Sequence, residues 1–122
     1  MTRRIALVED NADNRLLVHA LLDGLFALTD YETGAAALAG IAASRPELVL
    51  LDVSLPEMDG TEVLRRLRAD PALAGLPVVA LTAHAMTGDR ERYLVFGFDD
   101  YVAKPIVDEQ LLLDAIARHL GA

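Results

Sequence analysis

Three short, uninterrupted apolar runs constrain this chain more than any other feature: Ile5-Ala6-Leu7-Val8, Leu48-Val49-Leu50-Leu51 and Pro77-Val78-Val79-Ala80-Leu81. A strand with one wet face alternates apolar and polar residues, so continuous runs predict strands buried on both faces, the mark of a parallel sheet covered by helices. Between the runs the period changes to that of a helix. Residues 11–24 carry Leu17, Leu21 and Leu25 four apart, the stripe expected to be buried; Asn11 or Asp13 can cap the start, and Gly24 fits the end. Residues 25–31 form a second strand. Thr33 opens an Ala-rich helix running to Ser44, and Pro46 blocks its continuation. Residues 56–60 are loop, and 61–69 are helical with Val63, Leu64 and Leu67 on one side. The fourth strand ends at Thr82, and a helix over 88–96 stops at Gly97. Asp100-Tyr101-Val102-Ala103 makes a fifth strand, and a last helix covers 107–120. Five strands alternating with five helices imply parallel pairing and right-handed crossovers, hence a three-layer, doubly wound α/β domain with helices on both sheet faces.

Composition narrows the function. The 122 residues suit one domain, and 53% hydrophobic content is enough for a core. With no cysteine, the chain has no disulfide scaffold, thiolate zinc site or cysteine nucleophile. Nineteen Asp and Glu against eleven Lys and Arg give a net charge of −8, the wrong sign for a general nucleic-acid surface. The first apolar run is broken by Glu9 and Asp10, too short for a signal peptide or a membrane span. The expectation is a soluble cytoplasmic domain spanning residues 1–122. The start at Met1-Thr2-Arg3-Arg4 and the end at Ala122 favour the expectation of a stand-alone chain without an output domain, with an excised domain as the alternative.

The polar residues that end the runs carry the chemistry. Glu9-Asp10, Asp52, Thr82 and Lys104 each follow a predicted strand, and in open parallel sheets that carboxyl edge forms the ligand crevice. Any one Asp in such a place is more often a cap or turn residue. Four distant segments that deliver three carboxylates, a hydroxyl and an ammonium to one edge point instead to a site. Carboxylates packed together repel unless they share a cation, and oxygen-only ligands at an open site suit Mg²⁺. With Lys104 as a second positive charge and Thr82 as a hydrogen-bond donor, the set fits phosphoryl transfer to a carboxylate, where catalysis is mostly positioning and charge neutralisation.

Four motifs, Val8-Glu9-Asp10-Asn11, Leu51-Asp52-Val53-Ser54-Leu55-Pro56-Glu57-Met58-Asp59-Gly60, Leu81-Thr82-Ala83 and Tyr101-Val102-Ala103-Lys104-Pro105, stand in order across the chain. Together they resemble the response-regulator receiver domains of two-component signalling, over essentially the whole length. The resemblance implies a flavodoxin-like sheet of order 2-1-3-4-5. It implies that Asp52 accepts a phosphoryl group from a phosphohistidine donor. It further implies that Asp10, Asp52 and the Ser54 carbonyl hold Mg²⁺, with Glu9 acting mainly through a metal-bound water. Thr82 would hold a phosphoryl oxygen, Ala83 would leave it room, and Lys104, aimed by a cis bond to Pro105, would pair with the phosphate. Ser54 and His84 would tune hydrolysis of the acyl phosphate, and Tyr101 would be an aromatic switch that turns inward when Thr82 moves. Residues 81–90 are similar to receivers of hybrid kinases and their stand-alone relatives.

Partners follow from the same resemblance: a histidine kinase or histidine phosphotransfer protein upstream and a protein partner downstream; the acidic charge and the short apolar runs argue against direct nucleic acid or membrane contact. On the first helix, Asn14, Val18 and Leu22 form a second row at helical spacing, expected to dock the donor. The bulk of Tyr93, Val95 and Phe96 suggests a partner or a phosphorylation-dependent dimer contact on the fourth helix. Three other functions remain. A Mg²⁺-dependent phosphatase with an aspartyl nucleophile would typically carry a second Asp where Ser54 stands. An FMN or nucleotide binder would want a Gly/Ser/Thr-rich loop where Glu9-Asp10-Asn11 stands. An interaction module without phosphorylation would have no use for the intact acid cluster.

Overall fold

The computed structural model describes residues 3–55, 57–82, 89–104, 106 and 109–120. Its elements are β1 (Arg4–Val8), α1 (Ala12–Leu22), β2 (Ala27–Tyr31), α2 (Gly34–Ser44), β3 (Leu48–Asp52), α3 (Gly60–Ala69), β4 (Val78–Thr82), α4 (Asp89–Phe96), β5 (Asp100–Ala103) and α5 (Glu109–Leu120). All four pairings are parallel, in the order β2-β1-β3-β4-β5. Alternation along the three central strands splits the core in two. Ala6, Val8, Val49, Leu51, Val78 and Ala80 meet α2, α3 and α4 on one face. Ile5, Leu7, Leu48, Leu50, Val79 and Leu81 meet α1 and α5 on the other. Every residue of β3 and β4 is buried, which is why their runs lack alternation.

Local chemistry sets the helix ends. The side chains of Asn11, Thr33 and Asp59 accept from the backbone N–H groups of Asn14, Ala36 and Glu62, capping α1, α2 and α3. Ahead of Pro46, Arg45 takes a left-handed conformation (φ 49°), and its N–H bonds to Ile41 O to close α2. At the end of α4, Gly97 (φ 116°) donates to Leu94 O and Phe98 to Tyr93 O, a Schellman ending that only a glycine allows easily.

Two expectations need correction. The second strand begins at Ala27 rather than at residue 25, because Leu25 and Phe26 donate to Leu22 O and finish the turn of α1. The face of α1 is also rotated from the expected one. Val18 and Leu22 are its buried residues, at 2% and 0% exposure, while Leu17 and Leu21 flank them and Leu25 is 51% exposed. The rows 17/21 and 18/22 lie about 100° apart on a 3.6-residue helix and both are apolar, so contact with the sheet decides which is central. Val18 and Leu22 therefore cannot form a docking row; of the three residues proposed for it, only Asn14 keeps partial exposure. The expectations for Pro56, Ala83, His84, Pro105 and its cis bond, and the first residues of the last two helices, lie outside the described residues.

Candidate functional site

The strand ends bring the predicted acids together. Glu9 and Asp10 follow β1, and Asp52 closes the neighbouring β3. One carboxylate oxygen from each of the three lies within 4.8 Å of the others, so the chain can offer a cation three oxygen ligands at once. Ser54 stands just beyond, exposed, its N–H donating to Asp52 Oδ1 at 2.9 Å. Across the sheet, Thr82 closes β4 one register position past Leu81, the partner of Asp52. Lys104 leaves β5 with its backbone N–H on Thr82 O at 2.7 Å. That bond continues the β4–β5 pairing to residue 104, and the lysine Nζ lies 3.0 Å from Glu9 Oε1 and 3.1 Å from Asp52 Oδ2.

Gly60 determines how close the β3–α3 loop can come. A Cβ there would lie 2.6 Å from Asp52 O and 2.7 Å from Val53 Cα, both backbone atoms. The absence of a side chain lets Gly60 N–H reach Val53 O at 2.9 Å and folds the loop tightly behind Asp52.

The charges divide unequally. Glu9 is fully buried, and burial together with neighbouring Asp52 pushes its pKa up to about 7 despite Lys104. Asp52 is held below its ordinary value of 3.8. Burial works against that, but hydrogen bonds from Glu9, the Ser54 N–H and Lys104 outweigh it. Burial alone would lower the pKa of Lys104, but its two carboxylates outweigh that and raise it. Asp52 is thus the ionised member of the buried pair and needs no base to make it nucleophilic.

Sequence reasoning missed two neighbours of this site. Arg15 Nη1 donates to Glu9 O at 2.9 Å while its other nitrogen pairs with Glu32 at 3.2 Å, bracing the β1–α1 turn. Nothing local marks an arginine on a polar helix face for that task. The other is Tyr93. Expected among residues that serve a partner, it is 5% exposed and sits 2.9 Å from the Thr82 hydroxyl, whereas Val95 and Phe96 are 88% and 59% exposed. Tyr101 and Val102 fall on opposite faces as alternation requires, Tyr101 against the α2–α4 core and Val102 in the other.

These features define a flavodoxin-like α/β domain with an acidic, lysine-bridged site at the carboxyl edge of its sheet. The profile of the response regulator receiver domain matches residues 5–117, and the chain belongs to that family, the receivers of two-component signalling. Sensor protein GacS of Pseudomonas syringae pv. syringae is 43% identical over 112 residues, which are 88% of this chain and 12% of that protein. The chain therefore spans a small part of that relative. The polar-differentiation response regulator DivK of Brucella ovis is 37% identical over 126 residues, covering 99% of this chain and 98% of DivK. Among solved structures, the receiver domain of sensor histidine kinase PA1611 from Pseudomonas aeruginosa PAO1 superposes with a TM-score of 0.89 at 35% identity, covering all of both chains. That structure has a magnesium ion coordinated in its active-site cleft. Among the described residues of the present chain, no helix is long and apolar enough to cross a membrane.

Proposed function

We propose that this receiver takes a phosphoryl group from a phosphohistidine donor onto Asp52, with Mg²⁺, and passes the signal to a protein partner by a conformational shift. The observation that carries the reading is the placement of Asp52, 3.1 Å from the Lys104 ammonium and with a carboxyl oxygen within 4.8 Å of one from Glu9 and one from Asp10. Asp10, Asp52 and the Ser54 carbonyl would hold the cation, with buried Glu9 acting at one remove. When bound, Mg²⁺ would supply the positive charge that lets phosphoryl oxygens approach three acids.

Asp52 attacks phosphorus through a carboxylate oxygen. The P–O bond forms as the P–N bond to the donor imidazole breaks, and the electron pair leaves on that nitrogen. Lys104 stays with the transferred oxygens, and Thr82 donates its hydroxyl to one of them. Tyr101 then reorients beside Thr82, biasing a readout surface of α4, β5 and α5 between two existing arrangements. Exposed Ser54 borders the path of the water that later removes the phosphoryl group, and His84 is assigned the same tuning role from the sequence. The domain acts as a phospho-acceptor with self-catalysed loss, not as a turnover enzyme, and works in the cytoplasm beside a histidine kinase or phosphotransfer protein.

Intact-mass analysis after incubation with acetyl phosphate and Mg²⁺ tests this. One phosphoryl adduct is expected on the natural chain and none on Asp52→Ala. Asp10→Asn removes one ligand charge and should weaken Mg²⁺ binding by about tenfold or more. An adduct that survives in Asp52→Ala, or full labelling after Mg²⁺ is chelated, would overturn the assignment.

A further inference from the structure

Among the described side chains of α4, residues 91–96, Tyr93 alone is buried. It anchors that helix to the sheet. Its ring stands edge-on to Phe98, with centroids 5.9 Å apart at 85°, the apolar contact that accompanies the Schellman ending at Gly97. Tyr101 also packs near it, with centroids 6.1 Å apart at 35°. The phenol reaches Thr82 Oγ1 at 2.9 Å inside the protein, where both residues are nearly inaccessible. One hydrogen bond thus joins the hydroxyl at the carboxyl edge of β4 to the single buried side chain among those described on α4.

We propose that Tyr93 is a positioning residue for Thr82: its phenol holds the Thr82 hydroxyl in the unphosphorylated arrangement, and capture of that hydroxyl by a phosphoryl oxygen releases Tyr93 and with it the anchor of α4. This rests on the assignment of Asp52 as phospho-acceptor and of Thr82 as the donor to the phosphoryl group. A hydroxyl has one proton to donate. If Thr82 gives it to the phosphoryl oxygen, it can only accept from Tyr93, and any movement of Oγ1 toward Asp52 stretches the 2.9 Å contact. The bond to Tyr93 therefore opposes the phosphorylated arrangement. Tyr101, packed on the same ring, feels the release through contact, so α4 and β5 respond together.

Tyr93→Phe removes the hydroxyl, and with it the bond to Thr82, while keeping the ring and its edge contact with Phe98. Losing a neutral hydrogen bond of ordinary strength shifts a two-state balance by about two- to tenfold. The test measures the affinity of the full chain for beryllofluoride, a mimic of the phosphoryl group on a carboxylate, in saturating Mg²⁺ by fluorine NMR. Tyr93→Phe should bind beryllofluoride about two- to tenfold more tightly than the natural chain, with Mg²⁺ affinity in the absence of beryllofluoride unchanged. In a Thr82→Ala background the same substitution should have no effect on beryllofluoride binding. Hydrogen exchange of α4 should rise on adding beryllofluoride to the natural chain and should already be raised in free Tyr93→Phe.

Unchanged or weaker beryllofluoride binding by Tyr93→Phe overturns the proposal. So does equal tightening in the Thr82→Ala background, since the effect would then bypass Thr82. Parallel loss of Mg²⁺ and beryllofluoride binding would show Tyr93 to be merely structural. If the natural chain neither binds beryllofluoride nor labels at Asp52, the phospho-acceptor reading fails first and this inference falls with it.

Discussion

Placing a single methyl group at residue 60 tests how the β3–α3 loop holds the site. The Cβ of Gly60→Ala would sit 2.6 Å from Asp52 O and 2.7 Å from Val53 Cα, against an ordinary contact distance of about 3.5–4 Å. Neither neighbour can swing aside, because both are backbone held by the bonds from Val53 N–H to Leu81 O and from Gly60 N–H to Val53 O. Overpacking of this kind costs about 1–3 kcal/mol, and the better helix propensity of Ala returns less than about 1 kcal/mol at a helix's first residue. With roughly 4 °C lost per kcal/mol in a domain of this size, the melting temperature should fall, by up to about 10 °C. Gly75→Ala is the control: beyond its own chain neighbours, no atom lies within 4 Å of where its Cβ would stand, and its φ is outside the left-handed region, so it should be neutral or slightly stabilising. Thermal melts followed by circular dichroism read both variants, and acetyl-phosphate labelling of the folded fraction reads the site. Labelling of Gly60→Ala should slow because Asp52 and Ser54 ride on the displaced segment. If Gly60→Ala melts within about 1 °C of the natural chain and labels at the same rate, close approach at Gly60 does not position Asp52.

Val18→Asp buries a carboxylate in the α1–α5 core and should unfold the domain, whereas Leu16→Asp, at a position 71% exposed, should leave the melting curve nearly unchanged. Arg68 donates to Leu76 O at 2.6 Å, to Gly97 O at 3.0 Å and to Asp99 Oδ2 at 2.9 Å. Its replacement by Ala should cost about 2 kcal/mol in urea unfolding, and Lys should not restore it because one ammonium cannot span that fork. Asp100 gives a pH test. Burial raises its pKa, but Arg118, the Tyr101 N–H and His119 outweigh this and hold it below 3.8. The folded state thus favours the carboxylate; that stability is present above about pH 4 and is lost as pH falls through the lowered value. Melting temperatures measured from about pH 6 to about pH 2 should fall less steeply below about pH 4 for Asp100→Asn than for the natural chain, and equal slopes would refute the role of this cluster.

The sequence by itself was enough for the class of fold, because burial on both faces leaves a local mark. β1, β3 and β4 are apolar without alternation since their side chains meet helices on both sides, and Asn11 and Thr33 cap helices through bonds spanning only three residues. The carboxyl-edge set was legible for a related reason: Glu9, Asp52 and Thr82 each stand where such a run stops, Lys104 follows the short fifth strand, and a parallel sheet brings those ends together. Tertiary structure decided what depends on rotation and reach. α1 carries two adjacent apolar rows, and only packing against the sheet made Val18 and Leu22 central. The contact of Lys104 with Glu9 joins residues 95 positions apart, and strand order alone brings Glu9 and Asp52 within reach of one ammonium. Tyr93 looked like one bulky residue among several on α4, and its neighbours Val95 and Phe96 are indeed exposed. Its bond to Thr82 joins residues 11 positions apart across a helix and a strand end. No periodicity records such a contact, because it arises only when the helix has been laid against the sheet.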